Sequence, residues 1–398
     1  MDPKVVGSNL HHSPYNRKSN LAVFYCLFVR FLYIYILVKR YITIFLFLTF
    51  LFSGCERKPL YLRGASEALQ ISTFINISAD VLVNLNADIR ANLDYYWDET
   101  VYGKLGYDTA KFVQSHIFAY NNRNKELFAT ERYVVGQRNT TSIRTNILYD
   151  MLLFTETRKS KYFNSPNYSF YIVEADSAAT KAVQYSESFP IVPQAEEQFA
   201  VNVSELYIDS EDESLESEVI DGVLTYYYNL NLNLEPVSYI YIIEVAIEDD
   251  DDRYSMDYDS CLYMGISGVA TQTELFRHQT TAERGVIQSH DVKRVQTFEN
   301  KCMFAERFVT YGLVRDYNSS WSNAGLVYEL GIEFRLSDGT IKKGRLDISR
   351  ELMAKPKGGV IKILIKNSAI NREEPSSGGG FSVDVEGWQE VVNVEIEI

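Results

Sequence analysis

Apolar side chains recur at every second position through much of this chain, and few stretches repeat at the helical period. Tyr226, Tyr228, Leu230, Leu232 and Leu234 alternate with polar residues. Residues 81–94 alternate in the same way, from Val81 and Val83 to Ala91 and Leu93. A period of two puts one set of side chains on a buried sheet face and the other in water, so both runs predict long strands. His116–Tyr120, polar residues 121–125 and Glu126–Ala129 read as strand, turn and strand. Ile147–Thr155, Tyr168–Val173, Phe304–Val314, Leu326–Leu336 and Val360–Ile365 are further β runs. Tyr239–Ile247 is nearly all apolar, as a strand covered on both faces should be. Asp338-Gly339 between two such runs is a hairpin signal. The fold class is all-β.

Length and punctuation predict two tandem β-sandwiches. Pro190, Pro193 and the polar stretch Gln194–Gln198 place a boundary between an N-terminal sandwich, 67–193, and a C-terminal sandwich, 194–374. Residues 375–398 form a Gly-rich linker followed by a terminal strand, in which Val392, Val394, Ile396 and Ile398 share a face. Two readings stay open for that strand. It is the last strand of its own domain, or a donor strand that completes a neighbour's sheet.

Lys39-Arg40, the apolar run Tyr41–Phe52 and the small residues Ser53-Gly54 make a secretory signal over 38–54. Twelve apolar residues fall short of the about 20 that a spanning helix needs. Leu51, Phe52, Ser53 and Gly54 before Cys55 form a lipobox, so Cys55 is the expected lipidation site and first mature residue. Residues 55–66, polar with Pro59 and Gly64, read as a tether. The expected start is at or near Val38, since a GTG codon reads as Val inside a longer frame. Residues 1–37 are then an upstream extension that is not translated.

The chain has 39 basic and 53 acidic residues and a net charge of −14. Residues 1–54 hold six of the bases and one acid, so the remaining 344 residues carry −19. That field repels phosphate backbones, and no nucleic-acid partner is expected. The acidic runs 209–213 and 248–252 lack the spacing of a calcium loop, and no metal or cofactor is expected. Cys261 and Cys302 are the cysteines left after Cys55. They are a candidate disulfide in an exported chain, or two separate apolar core residues. His116, His278 and His290 are the histidines after Cys55, the last two read as surface residues. Gly265-Ile266-Ser267-Gly268 is one residue short of a hydrolase elbow, and no phosphate loop, zinc helix or dinucleotide fingerprint is present. The expectation is a protein that is not an enzyme. Asp108-Thr109-Ala110 and Asp176-Ser177-Ala178 are candidate O-glycosylation motifs at Thr109 and Ser177. Outward-facing tyrosines of 226–228 and 239–241 are candidates for an interface or a sugar platform.

Cys55-Glu56-Arg57-Lys58-Pro59-Leu60, Tyr149-Asp150-Met151-Leu152-Leu153-Phe154, Met264–Gly268, Leu336–Thr340 and Gly378-Gly379-Gly380-Phe381 with Trp388 occur in an order that resembles the fimbrillin-like lipoproteins of Bacteroidetes. The resemblance implies paired sandwiches of transthyretin or immunoglobulin type and an outer-membrane lipoprotein on the periplasmic face or the cell surface. It implies pilus subunits as partners, joined by strand donation, and supplies no catalytic residues. The expected role is a lipid-anchored structural protein: anchor, assembly or accessory component of fimbrillin-type pili. The alternative is a surface glycan-binding lipoprotein with an aromatic platform.

Overall fold

The computed structural model describes residues 70–371 and 380–382, apart from 122–123, 158–160, 164–169, 173–180, 182, 210, 213–214, 221, 252–256, 299 and 315–324. The chain divides into a unit of 1–61, outside the described residues, and a compact unit of 62–398. The signal segment, Leu51–Gly54, Cys55, Ser177 and the terminal positions Val392–Ile398 also lie outside the described residues.

The first half of the compact unit begins with β1 (Gln70–Ser78), α1 (Asp80–Ala91) and the short α2 (Glu99–Tyr102). Then come β2 (Phe112–Asn121), β3 (Asn124–Val134), β4 (Arg138–Arg144), β5 (Leu148–Phe154), β6 (Lys161–Phe163) and β7 (Phe170–Ile172). It closes with β8 (Phe199–Tyr207), β9 (Glu216–Ile220), β10 (Val223–Asn233) and β11 (Glu235–Pro236). A four-stranded sheet, β4-β1-β10-β9, faces a five-stranded sheet, β11-β8-β5-β2-β3. Ile71, Ile75, Ile77 and Ile143 of the first share one core with Val113, Ile117, Met151 and Leu153 of the second.

The second half contains β12 (Tyr239–Glu248), β13 (Tyr258–Ala270), β14 (Gln272–Glu274), β15 (Gln279–Thr280), β16 (Arg284–Phe298) and β17 (Lys301–Thr310). It continues with β18 (Glu329–Leu336), β19 (Ile341–Asp347), α3 (Ser349–Ala354), β20 (Gly359–Lys366), α4 (Asn367–Asn371) and β21 (Gly380–Ser382). Its eight-stranded sheet runs β20-β12-β17-β16-β13-β18-β19-β21. Residues 284–292 of β16 pair with β13, and 293–298 pair with β17. Phe304 on β17 and Phe334 on β18 stand three strands apart in that order, roughly 14 Å in a flat sheet. Their ring centroids are 5.4 Å apart, so the sheet folds on itself through β16 and closes a second sandwich. β14 and β15 form a small sheet with β7 and β6 of the first half.

The all-β class stands, with two corrections. Residues 80–91 are helical rather than a strand. Leu82, Leu85 and Ile89 turn inward at the helical spacing, while Val83 is 68% exposed. Asp80 in the first turn and Arg90 in the last suit the helix dipole. The domain boundary at 193/194 is also displaced. β8 pairs with β5, and β10 pairs in parallel with β1, so residues 199–236 complete the first sandwich. The second begins at β12.

The proline-marked stretch is a strap across the second half. Val192 N–H donates to Val286 O at 2.9 Å, Val286 N–H to Pro190 O at 2.8 Å, and Ala195 N–H to Val309 O at 2.9 Å. Tyr185 seats its ring over Gly265 and Gly331, which face each other across β13 and β18. A Cβ at Gly331 would stand 2.6 Å from the Tyr185 hydroxyl, so neither strand can carry a side chain there. Tyr185 and Tyr263 hydroxyls lie 2.7 Å apart. On another side, Arg307 donates to Leu105 O at 3.1 Å and Gly106 O at 3.3 Å. Tyr107 donates to Ser238 O at 3.3 Å and accepts from Ile240 N–H at 3.1 Å. These contacts lock the halves together. The Asp338-Gly339 hairpin forms as expected, with Gly339 at φ +84°.

Candidate binding surfaces

Three features of the described residues can meet another molecule. The first is the outer face of the β4-β1-β10-β9 sheet. Alternation sends Ile71, Thr73, Ile75 and Ile77 inward, which leaves Phe74, Asn76 and Ser78 of β1 outside. The parallel register of β10 sets Asn231 beside Asn76 and Asn233 beside Ser78. Asn76 Nδ2 donates to Asn231 Oδ1 at 2.9 Å, and Ser78 Oγ donates to Asn233 Oδ1 at 3.1 Å. The Phe74 and Tyr227 rings stack 4.7 Å apart at 15°. The Arg138 guanidinium, from β4, lies 3.4 Å from the Phe74 ring centre and donates to Asn229 Oδ1 at 3.1 Å. An open depression of about 370 Å³ adjoins this row, between the Gly136–Arg138 turn and the ends of β1 and β10.

The second feature is a cleft of about 720 Å³ where the halves meet, lined by Thr109, Lys111, Arg132, Glu156, Glu197 and Arg307 among others. Its charges are largely spent on each other. Glu197 takes Lys104 at 3.1 Å, Arg307 at 2.5 Å and the Asp108 N–H at 2.5 Å. Thr109 sits exposed at this cleft.

The third feature is a pair of sheet edges. β3 carries a partner on one side alone among the described residues and shows Leu127, 38% exposed. At the far edge of the eight-stranded sheet, β21 lies parallel to Lys343–Arg345 of β19. It arrives from the Gly-rich linker, so this edge is filled by a strand supplied over a long connection.

Of the candidate residues within the described range, Cys261 and Cys302 are both buried, and no disulfide joins them. Cys261 pairs with Val292 of β16, and Cys302 with Thr297, five positions further along the same strand. The two cysteines sit on either side of the point where β16 passes from β13 to β17, each packed into the core. Two core thiols, rather than the candidate disulfide, is the arrangement found. Burial pushes the Cys261 thiol far above its ordinary range, which makes it inert. We expect a maleimide to label neither residue in the native protein and both after denaturation without reductant. Failure to label the denatured chain would establish a disulfide instead.

His278 does not have the surface setting the sequence suggests. His278 is half-buried at φ +50°, its imidazole held below the usual range by burial. Glu244, in the apolar run of β12, is 2% exposed. Burial raises its carboxyl to about 7. Lys362 and Lys355 oppose the shift, and Asp94 adds to it. Phe74, Asn76, Arg138 and Asn231 belong to no motif and are not foreseen from the sequence. The alternation Asn229-Leu230-Asn231-Leu232-Asn233 is the signal that points toward them. Among the described residues, no cluster of three His, Cys, Asp or Glu side chains could hold a metal ion. No described helix is long and apolar enough to cross a membrane.

No protein-family model matches the chain, and no curated protein matches it. Solved structures do. A candidate adhesin from Bacteroides ovatus is 12% identical with a TM-score of 0.44, covering 79% of this chain and 95% of its own. A candidate polysaccharide-binding protein from Bacteroides thetaiotaomicron is 8% identical, with a TM-score of 0.38 and coverage of 74% and 90%. A fimbrial anchor protein from Porphyromonas gingivalis is 10% identical, with a TM-score of 0.32 and coverage of 74% and 91%.

Proposed function

We propose that this chain is a lipid-anchored protein of the bacterial cell envelope that serves fimbrillin-type pili as anchor, assembly or accessory component. The observation that carries the reading is β21, a strand that follows the Gly-rich linker and pairs along the edge of β19. An edge that takes a strand from a distant part of its own chain offers the same backbone hydrogen bonds to a strand from another chain. The other end of the mechanism is the lipobox. Acyl chains on Cys55 hold the protein to the outer membrane, each buried methylene contributing about 0.8 kcal/mol. The terminal positions Val392, Val394, Ile396 and Ile398 present one apolar face that sets register against a partner sheet. Thr109 and Ser177 are its proposed O-glycosylation sites, read by the intact mass of protein from the native host.

A photo-reactive residue at Val394, activated in native envelopes, tests the reading. Cross-links to a second β-sandwich subunit are expected. Cross-links confined to this chain would make the tail an ordinary final strand and remove the partner-binding role.

A further inference from the structure

We propose that the outer face of β4, β1 and β10 is a binding site for a neutral oligosaccharide, seated on the Asn76 and Asn231 amides beside the Arg138–Phe74–Tyr227 row. The site goes beyond the edge-pairing function and uses neither the tail nor a sheet edge.

Asparagine is among the residues that strands avoid, yet β10 sets Asn229, Asn231 and Asn233 at three successive outward positions. Their oxygens join β10 to β1 and β4, but that cross-strand bonding leaves the Asn231 amide nitrogen uncommitted. Positions that break a local rule are where function is to be sought. The amides are also fixed in orientation. Asn76 spends its Nδ2 on Asn231 and Asn229 takes the Arg138 guanidinium, both through single bonds. Among the described hydrogen bonds this leaves Asn76 Oδ1 to accept and Asn231 Nδ2 to donate, on paired strands. A primary amide pair of this kind both gives and takes hydrogen bonds, as adjacent sugar hydroxyls do.

The aromatic row supplies the other half of a sugar site. Phe74 and Tyr227 form a nearly parallel pair, 15° apart, stiffened by the Arg138 cation over Phe74. Phe74 is sandwiched between the Arg138 guanidinium and the Tyr227 ring, so the aromatic surface left for a ligand is the far side of Tyr227 with its phenol tip, which suits a ligand with both C–H and O–H faces. The adjoining depression of about 370 Å³ lies within the range of small-ligand sites, and Gln137 adds a further amide.

Charge selects the class of ligand. Among the described residues no carboxylate lines the depression, and the charged group that does, Arg138, is engaged by Phe74 and Asn229. A chain of net charge −14 repels anions at long range, and one committed arginine does not offset that. A neutral polyhydroxyl ligand meets no such penalty, whereas a phosphate or an acidic peptide would.

The test is a glycan array of neutral and acidic oligosaccharides probed with the full chain in detergent. At least one neutral glycan should bind. The double variant Asn76→Ala/Asn231→Ala should weaken that binding at least tenfold, and Tyr227→Ala should weaken it too. Tyr207→Ala, at an exposed tyrosine on β8, should leave it unchanged. Melting curves show whether each variant is folded, and all these side chains point away from the core. Absence of any neutral ligand, binding of acidic glycans alone, or binding that survives the double substitution would each overturn the proposal.

Discussion

Phe334→Ala should destabilise the folded unit by about 3–5 kcal/mol, about a fifth or more of the stability usual for a folded domain. Phe334 is wholly buried on β18. Its ring lies 5.6 Å from Tyr258 of β13, within its own arm of the folded sheet, and 5.4 Å from Phe304 of β17, in the other. Truncation removes the contact between the arms and leaves a cavity that neither arm can close. β18 is held between β13 and β19, and β17 between β12 and β16, so the backbone ladders resist collapse. Denaturation in urea reads the loss as a fall in midpoint at constant slope. Val83→Ser, on the exposed side of α1, should change stability by no more than about 0.5 kcal/mol. A loss below about 1 kcal/mol for Phe334→Ala would mean that the two arms do not share a packed core.

The parts of this fold that were legible in the sequence are those whose burial is decided locally. β10 alternates because one face meets the core, and β12 is nearly all apolar because both faces are covered. The Asp338-Gly339 turn needs a left-handed glycine and has one. Residues 81–94 show where local pattern fails. Their apolar positions satisfy a period of two, but Leu82, Leu85 and Ile89 satisfy the helical period equally well. Tertiary contacts decide between them: Asn86 Oδ1 accepts from the Tyr107 N–H at 2.7 Å, which ties α1 to the loop that reaches the second half.

The domain boundary failed for a related reason. Pro190 and Pro193 do break regular structure, but the broken segment is a strap that lies on β16 rather than a linker in solvent. Nothing near Val223 or Asn233 records that β10 will pair with β1, some 150 residues earlier. The candidate sugar site is split in the same way. The asparagine alternation of β10 is visible in the chain, but the arrival of Phe74 and Arg138 beside it depends on that long-range pairing and on the β1–β4 register.

Stability should fall as pH rises from about 5 to 8, and Glu244→Gln should remove much of that fall. Glu244 stands directly across from Lys362 in the parallel register of β12 and β20. Lys362, however, gives its ammonium to Asp94 at 2.6 Å. Glu244 Oε1 and the Tyr95 hydroxyl are both buried without a hydrogen-bond partner among the described residues. Burial, with the Glu244 charge second, drives the Tyr95 phenol far above its ordinary range, so the carboxylate and the phenol share one pocket. The carboxyl moves from 4.5 when free to about 7 when folded. A raised acid binds its proton more tightly in the native state, so its contribution is fully present below pH 4.5 and is lost as pH climbs through 7. The shift corresponds to about 3 kcal/mol, an upper bound for one group whose surroundings relax. Glu306, also raised by burial, acts in the same direction. Melting temperatures of the wild type and Glu244→Gln from pH 5 to 8 decide the matter. The variant should be the more stable protein at pH 8 by about 1–3 kcal/mol and should show the flatter profile. Parallel profiles would place the titration elsewhere and leave Glu244 ionised throughout.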